Sequence, residues 1–313
     1  MSKLKYLVTG GAGFIGSNLA EKLVKEDCNV RILDNFSTGK RENLNFDTSS
    51  SIELIEGDIR DLGTCQKALA GVDYVFHQAA IPSVPKSVSD PISSNEANIQ
   101  GTLNVLVAAR DAGIKRLVYA SSSSVYGDTP ILPKKESMTP IPLSPYAISK
   151  LTGEYYCRVF YQLYGLETVA LRYFNVFGPR QDPASQYAAA IPRFINSLIG
   201  DNPPTIYGDG EQTRDFTYVG DVVAANILAI KASGAKGGIF NIARGEVISV
   251  NALIEKLKEI LHSSVEPDHS DLRPGDIKHS LADISKAKDI LDYQPATSLE
   301  AGLAKTVNFF NSQ

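Results

Sequence analysis

Cysteine is scarce, and Cys28, Cys65 and Cys157 follow neither the spacing of a disulfide framework nor that of a metal site. The four histidines, His77, His262, His269 and His279, are scattered, so a bound structural metal is not expected. No apolar run approaches the roughly twenty residues that cross a bilayer. Charge of one sign is not in excess either. The 31 basic and 35 acidic residues leave a net −4 and are spread along the chain, without the basic footprint of a nucleic-acid binder. The first apolar strand follows the initial methionine with no signal-like segment before it, and a reduced, cytoplasmic protein is expected. With 313 residues the chain can bury a large core, read here as two unequal domains.

What is present begins at once. The apolar strand Leu4, Lys5, Tyr6, Leu7, Val8 runs into Thr9, Gly10, Gly11, Ala12, Gly13, Phe14, Ile15, Gly16. A buried strand that turns sharply into a helix needs residues without a Cβ, and such a turn lets backbone N–H groups approach a pyrophosphate at the helix's positive end. Glycine clusters alone are more often plain turns, so context matters. A helical stretch over 14–25 is followed by Val30, Arg31, Ile32, Leu33 and then Asp34, about twenty residues beyond the glycines, where a ribose-binding carboxylate is expected. That carboxylate favours NAD and repels a 2′-phosphate, although Lys40 and Arg41 are close in sequence. The alternative is an aspartate that caps the next turn.

Strand and helix patterns then alternate. Strands are expected at 52–56, 74–77, 116–120 and 168–172, and helices near 62–69, 95–112 and 146–164. This pattern is that of a doubly wound α/β fold, with the ligand over the carboxyl ends of the strands. From Phe177 onward prolines and glycines separate shorter elements. A dinucleotide-binding (Rossmann) domain is therefore placed at 1–178, with a returning segment near 214–243, and a smaller mixed α/β substrate domain at 179–313.

A second cluster carries chemistry. Ser144 and Pro145 read as a helix start, which puts Tyr146 and Lys150 four apart on one face. A phenol is a poor base at neutral pH unless a nearby cation favours phenolate, as Lys150 would. Ser121, Ser122, Ser123 and Ser124 crowd the end of the strand at 116–120. Taken singly, the pair is ordinary packing and the serines a hydrophilic turn. Together with the glycine loop and Asp34 they describe a site where a sugar hydroxyl lies between a serine and a tyrosyl oxygen, its carbon facing a nicotinamide. The reaction class is alcohol oxidation.

With these residues assembled, the chain resembles an extended short-chain dehydrogenase/reductase of the nucleotide-sugar 4-epimerase group, over essentially its whole length. Further matching segments are Asp34-Asn35, 57–61 (GDIRD), 77–80 (HQAA), 98–102 (NIQGT), 172–180 (RYFNVFGPR) and 207–216 (YGDGEQTRDF). The resemblance implies NAD contacts from Gly10, Gly13, Phe14, Ile15 and Gly16, and from Asp34, Asn35, Ser37, Thr38 and Gly39. It places Asp58 and Ile59 beside adenine, and Gln78, Ala79, Ala80, Asn98, Ser121, Tyr173 and Val176 along the rest of the cofactor with Tyr146 and Lys150. The catalytic set it implies is Ser122, Tyr146 and Lys150.

Around a UDP-sugar the same resemblance places Ser83, Val84, Ser122, Ser123, Tyr146, Asn175, Gln181, Ala189, Ile191 and Tyr207, with Arg214 and Arg273 at the diphosphate and Asp276 and Ser280 nearby. Planar arginine donors suit a diphosphate. The strings 83–85 (SVP), 181–183 (QDP), 187–189 (YAA) and 275–286 (GDIKHSLADISK) resemble the subgroup acting on UDP-N-acetylglucosamine, in which a small residue at Ser280 leaves room for an N-acetyl group. UDP-glucose and UDP-glucuronate are the alternatives for a 4-epimerase. A 4,6-dehydratase is disfavoured, because Ser123 and Ser124 stand where that reaction wants an Asp-Glu pair. A non-catalytic NAD- and UDP-sugar-binding protein is disfavoured by the intact Ser122, Tyr146 and Lys150. The resemblance also implies a homodimer paired through the helices at 95–112 and 146–164.

Overall fold

Seven strands lie side by side in one parallel sheet in the computed structural model, which describes residues 3–46, 52–183, 190–271 and 278–312. They are β1 (Lys5–Thr9), β2 (Asn29–Asp34), β3 (Ile52–Glu56), β4 (Tyr74–His77), β5 (Arg116–Ser122), β6 (Glu167–Tyr173) and β7 (Ile239–Ile242). Their order is β3-β2-β1-β4-β5-β6-β7, a doubly wound arrangement with its switch point between β1 and β4. The inner strands are apolar nearly throughout because both faces are covered.

The helices are α1 (Phe14–Lys25), α2 (Leu62–Leu69), α3 (Val84–Ser89), α4 (Pro91–Asn95), α5 (Gly101–Asp111), α6 (Pro145–Tyr164), α7 (Ala190–Ile199), α8 (Val219–Lys231), α9 (Val250–Leu261), α10 (Ser285–Leu291) and α11 (Leu299–Asn311). One sheet face packs on α1 and α8, the other on α2, α5 and α6. A third apolar cluster lies apart, where Phe177 and Phe216 meet α7, α9 and α11. The segment carrying Ala282, Ile284, Ala287, Leu291 and Tyr293 packs back into the first cluster, so the chain passes between the two regions more than once.

Two buried arginines close the edge of the sheet opposite the crevice. Arg31 on β2 donates to the Ala68 and Ala70 carbonyls at 2.7 and 2.8 Å, where α2 ends. Arg116 on β5 donates to the Ala229, Ile230 and Ala232 carbonyls at 2.8, 2.9 and 2.7 Å, where α8 ends. Terminal helix carbonyls have no partner within the helix, and these guanidinium groups satisfy them. The helix expected over 95–112 differs in detail. It is preceded by α4 and by a wide turn, Glu96–Gln100, before α5 begins.

Candidate active site

The glycine loop is built by close approach. Gly10 sits at φ +67°, and a Cβ there would fall 2.7 Å from the Ala79 backbone on the neighbouring strand's extension. A Cβ at Gly16 would overlap the Gly10 carbonyl oxygen. Gly13 is the N-cap of α1 and no side chain caps that end, whereas Ser144 caps α6. Backbone N–H groups and the positive end of the helix dipole are thus presented without side-chain obstruction, which fits a dinucleotide diphosphate.

Asp34, at the end of β2, is buried. Its carboxylate accepts from Ala12 N at 2.9 Å and Phe36 N at 2.8 Å, so the turn-capping role is real. Each oxygen keeps a lone pair for a ribose hydroxyl. Asn35 bonds Asp58 at 2.8 Å, and the Arg60 guanidinium beside Asp58 pulls its carboxyl down to about 2. Ile59 is buried next to it, while Ser37 and Thr38 are exposed and Gly39 packs against Ala12.

At the end of β4, His77 turns into the fold. It lies between Thr9, at 2.7 Å, and Thr102, at 3.0 Å, and burial pushes its pKa down to about 3. The neutral ring ties β4 to β1 and α5. Gln78 joins Tyr173 and Asn226 in a buried amide–phenol network with contacts of 2.9 to 3.3 Å. Asn226 belongs to no recognisable motif and was not anticipated. Asn98 is fully buried, and its amide spans the N–H and C=O of Ile81, at 2.7 and 3.2 Å, and Ser149. Its direct effect is to fix the turn after Ala79 and Ala80 against α6.

Tyr146 and Lys150 stand on the first turns of α6, which starts where Ser144 accepts from Ala147 N at 3.1 Å and Pro145 supplies the first helical residue. Ser87 on α3 accepts from Tyr146 N at 3.0 Å and holds this end of the helix. Burial pushes the Tyr146 phenol up, and its hydrogen bond with Ser122 pulls the other way. Ser122 closes β5, where its Oγ accepts from Ser124 N at 3.2 Å. Lys150 is buried, which lowers it to about 8. Its ammonium donates to the Ala120 carbonyl at 2.9 Å and lies 5.8 Å from the Tyr146 ring centroid. The cation is thus anchored to the strand and sits beside the phenol without bonding it.

Ser121 turns the other way. Its hydroxyl donates to Glu154 at 2.5 Å, and Arg172 grips the same carboxylate at 2.8 and 2.7 Å. This buried ion pair, invisible in the sequence, pins α6 to β5 and β6. Its charges are stable there because both are paired and hydrogen-bonded.

Beyond β6 lies a cleft of about 250 Å³. Asn175, Ile191, Tyr207 and Arg214, expected on the substrate side, line it together with Val176, expected along the cofactor, and with Arg193, Thr205, Gln212 and Phe216, for which no site role is expected from the sequence. Arg193 stacks 5.6 Å over the Tyr207 ring. Ser280 N–H donates to the carbonyl of Thr213, the residue before Arg214, at 3.1 Å, and Ser280 is not among the residues that line the cleft. Gln181 donates to the Val176 carbonyl at 3.1 Å. Ser83 caps α3 by accepting from Lys86 N at 3.2 Å, leaving Val84 exposed, and Ser123 opens the short turn after β5. Ala189, Arg273 and Asp276 lie outside the described residues.

A glycine-lined diphosphate seat, a serine–tyrosine–lysine group and an arginine-bearing cleft at the carboxyl edge of one doubly wound sheet define a dinucleotide-dependent enzyme acting on an anionic alcohol. Residues 6–243 match the NAD dependent epimerase/dehydratase family, and the chain belongs to it. NAD is its cofactor, and when bound supplies a reversible acceptor for hydride. A UDP-N-acetylglucosamine 4-epimerase from Methanobrevibacter ruminantium, solved with UDP-N-acetylmuramic acid, is 45% identical over the whole of both chains with a TM-score of 0.95. UDP-glucose 4-epimerase from Thermotoga maritima, solved with UDP-glucose, is 39% identical over 99% of each chain with a TM-score of 0.93. UDP-glucuronic acid 4-epimerase from Bacillus cereus, solved with UDP-glucuronic acid and NAD, is 37% identical over 99% of each chain with a TM-score of 0.90.

Proposed function

We propose that this UDP-sugar 4-epimerase interconverts UDP-N-acetylglucosamine and UDP-N-acetylgalactosamine while keeping one NAD bound. The carrying observation is the placement of Tyr146, on the first turn of α6, with Ser122 of β5 near enough to draw its phenol down and the Lys150 ammonium 5.8 Å from its ring and tied to the Ala120 carbonyl. Tyr146 takes the proton of the sugar's 4-hydroxyl as hydride leaves C4, and Ser122 holds that oxygen. Lys150 keeps positive charge beside the phenol and has two further N–H donors for the cofactor's ribose. The glycine loop, Asp34 and the Asn35–Asp58 pair hold the adenosine half; Gln78, Ala79, Ala80 and Tyr173 border the nicotinamide half. The 4-keto sugar then turns about its diphosphate tether and receives hydride on the other face, while Tyr146 returns the proton.

The 250 Å³ cleft receives the uridine, with Asn175, Ile191 and Tyr207 at its walls and Arg214 at the diphosphate. The choice of N-acetylated sugar rests on Ser280, a small residue whose N–H bonds the carbonyl of Thr213, next to Arg214 in the chain, and on kinship with the N-acetylglucosamine enzyme. Ser280→Tyr is expected to suppress turnover of UDP-N-acetylglucosamine while sparing UDP-glucose, measured as kcat/KM for each; equal loss for both rejects the gate. The working enzyme is a homodimer, its contact formed where α6 exposes Ile148, Tyr155, Val159 and Leu163 beside the half-buried Leu103 and Val107 of α5. The dinucleotide-binding region is residues 1–178 with the returning α8 and β7 and the segment 282–293 packed against them, and the third apolar cluster of α7, α9 and α11 carries the far side of the UDP-sugar cleft.

A further inference from the structure

After β6 the chain passes Asn175 and Val176, at the substrate cleft, and then runs back over α1 through residues 178–182. Three ties fasten it there. Asn18 Nδ2 donates to the Pro179 carbonyl at 3.1 Å, one turn into α1. Arg180 Nη2 donates to Glu21 at 2.6 Å, one turn further along. Asp182 pairs with Lys40 at 3.5 Å. Lys40 follows the 37–39 turn, and its N–H donates to the Ala12 carbonyl at 3.0 Å, so this last anchor is itself fixed to the glycine loop.

The segment therefore runs from the cleft side of the crevice to the adenosine side, past the first turns of the helix whose N-terminus seats the diphosphate. Arg180 occupies φ +71°, a region that disfavours a side chain with a Cβ. Such strain persists where surrounding contacts over-determine it. Here they do: the guanidinium pairs with Glu21 and packs 5.6 Å over the Phe46 ring, with both carboxylate and guanidinium largely shielded from water. Its other terminal nitrogen, Nη1, is buried without a partner among the described residues. One donor is thus left for a group that these residues do not supply.

We propose that Arg180 is the clasp of a strap, residues 178–182, which closes over the dinucleotide and sets how slowly NAD leaves. The inference rests on the dinucleotide reading of the glycine loop. Retention suits the proposed chemistry, because a cofactor that left between the two hydride steps would strand a 4-keto sugar.

The test measures bound NAD directly. Wild type, Glu21→Gln, Arg180→Ala and Arg180→Lys are saturated with NAD, passed through a desalting column and followed by mass spectrometry of the released dinucleotide. Glu21→Gln and Arg180→Ala are expected to lose NAD about tenfold faster than wild type, with Arg180→Lys between them because a point charge keeps only part of the bond. UDP affinity of the Glu21→Gln protein, titrated in excess NAD, is expected to stay within about twofold of wild type. Equal NAD release from all four proteins overturns the clasp, as does a parallel fall in UDP affinity for Glu21→Gln. Release is read without turnover, so a failed clasp leaves the epimerase reading standing, and a failed epimerase assay leaves the release measurement intact.

Discussion

Lys150 is buried and donates to the Ala120 carbonyl, and that placement costs stability as well as serving the site. Its pKa falls from 10.5 to about 8, so between those values the unfolded chain binds the extra proton and the folded protein gains stability as pH rises. Below pH 8 the cost is complete, on the order of 3 kcal/mol, since each tenfold loss of proton affinity on folding corresponds to about 1.4 kcal/mol. NAD-free Lys150→Met protein is therefore expected to be more stable than wild type at pH 7, with the gap in unfolding free energy narrowing toward pH 10.5. A constant gap across that range would show that the ammonium carries no such penalty. Tyr146→Phe removes only the phenol oxygen. It is expected to lower kcat by about 10³-fold, within the range usual for a lost acid–base group, with UDP binding within about twofold of wild type by calorimetry. Parallel loss of UDP binding would make Tyr146 a packing residue. Ser122, Tyr146 and Lys150 were legible because a four-residue helical spacing and a strand end are local patterns. The Lys150–Ala120 tie and the Glu154 carboxylate that engages Ser121 were not, since each joins residues about thirty positions apart.

Among the elements, the β1–α1 turn was the most readable, because glycine spacing reports a backbone that cannot carry side chains. Gly16→Ala is expected to abolish NAD retention, since the new methyl meets the Gly10 carbonyl oxygen and must displace the diphosphate seat. The protein's 260 to 280 nm absorbance ratio after desalting reads this out; a ratio equal to wild type would contradict it. The wide turn Glu96–Gln100 was not readable. Apolar periodicity distinguishes a helix from a strand, but not an extra residue within a turn. That turn precedes α5 and carries Asn98 to Ile81 and Ser149. Asn226 was hidden for another reason: a lone amide in the apolar helix α8 acquires meaning only once Gln78 and Tyr173 are beside it.

For the whole molecule, the alternation of short apolar strands with helical stretches was sufficient for the parallel sheet, because right-handed crossovers leave few other solutions. The third apolar cluster was less legible. Its buried members come from 177, 206, 216 and three helices far apart in the chain, and the segment at 282–293 packs on the sheet instead. The exposed apolar stripe of α6 is the surface on which two copies are proposed to pair. Leu163, 71% exposed, is its most open member. The double substitution Ile148→Asp and Leu163→Asp is expected to convert a dimer to a monomer in sedimentation equilibrium, with Tyr146 and Lys150 left in place. A monomeric wild type would remove this part of the account.

The central claim is that Tyr146, Ser122 and Lys150 serve a transfer in which the hydrogen at C4 leaves and returns to the same sugar without meeting water. UDP-N-acetylglucosamine carrying deuterium at C4, incubated with the purified protein in ordinary water without added NAD, tests it by proton and deuterium NMR. The account predicts UDP-N-acetylgalactosamine with the deuterium still at C4. Product that has exchanged its label for solvent hydrogen, or sugar recovered with its C4 configuration unchanged, would contradict it.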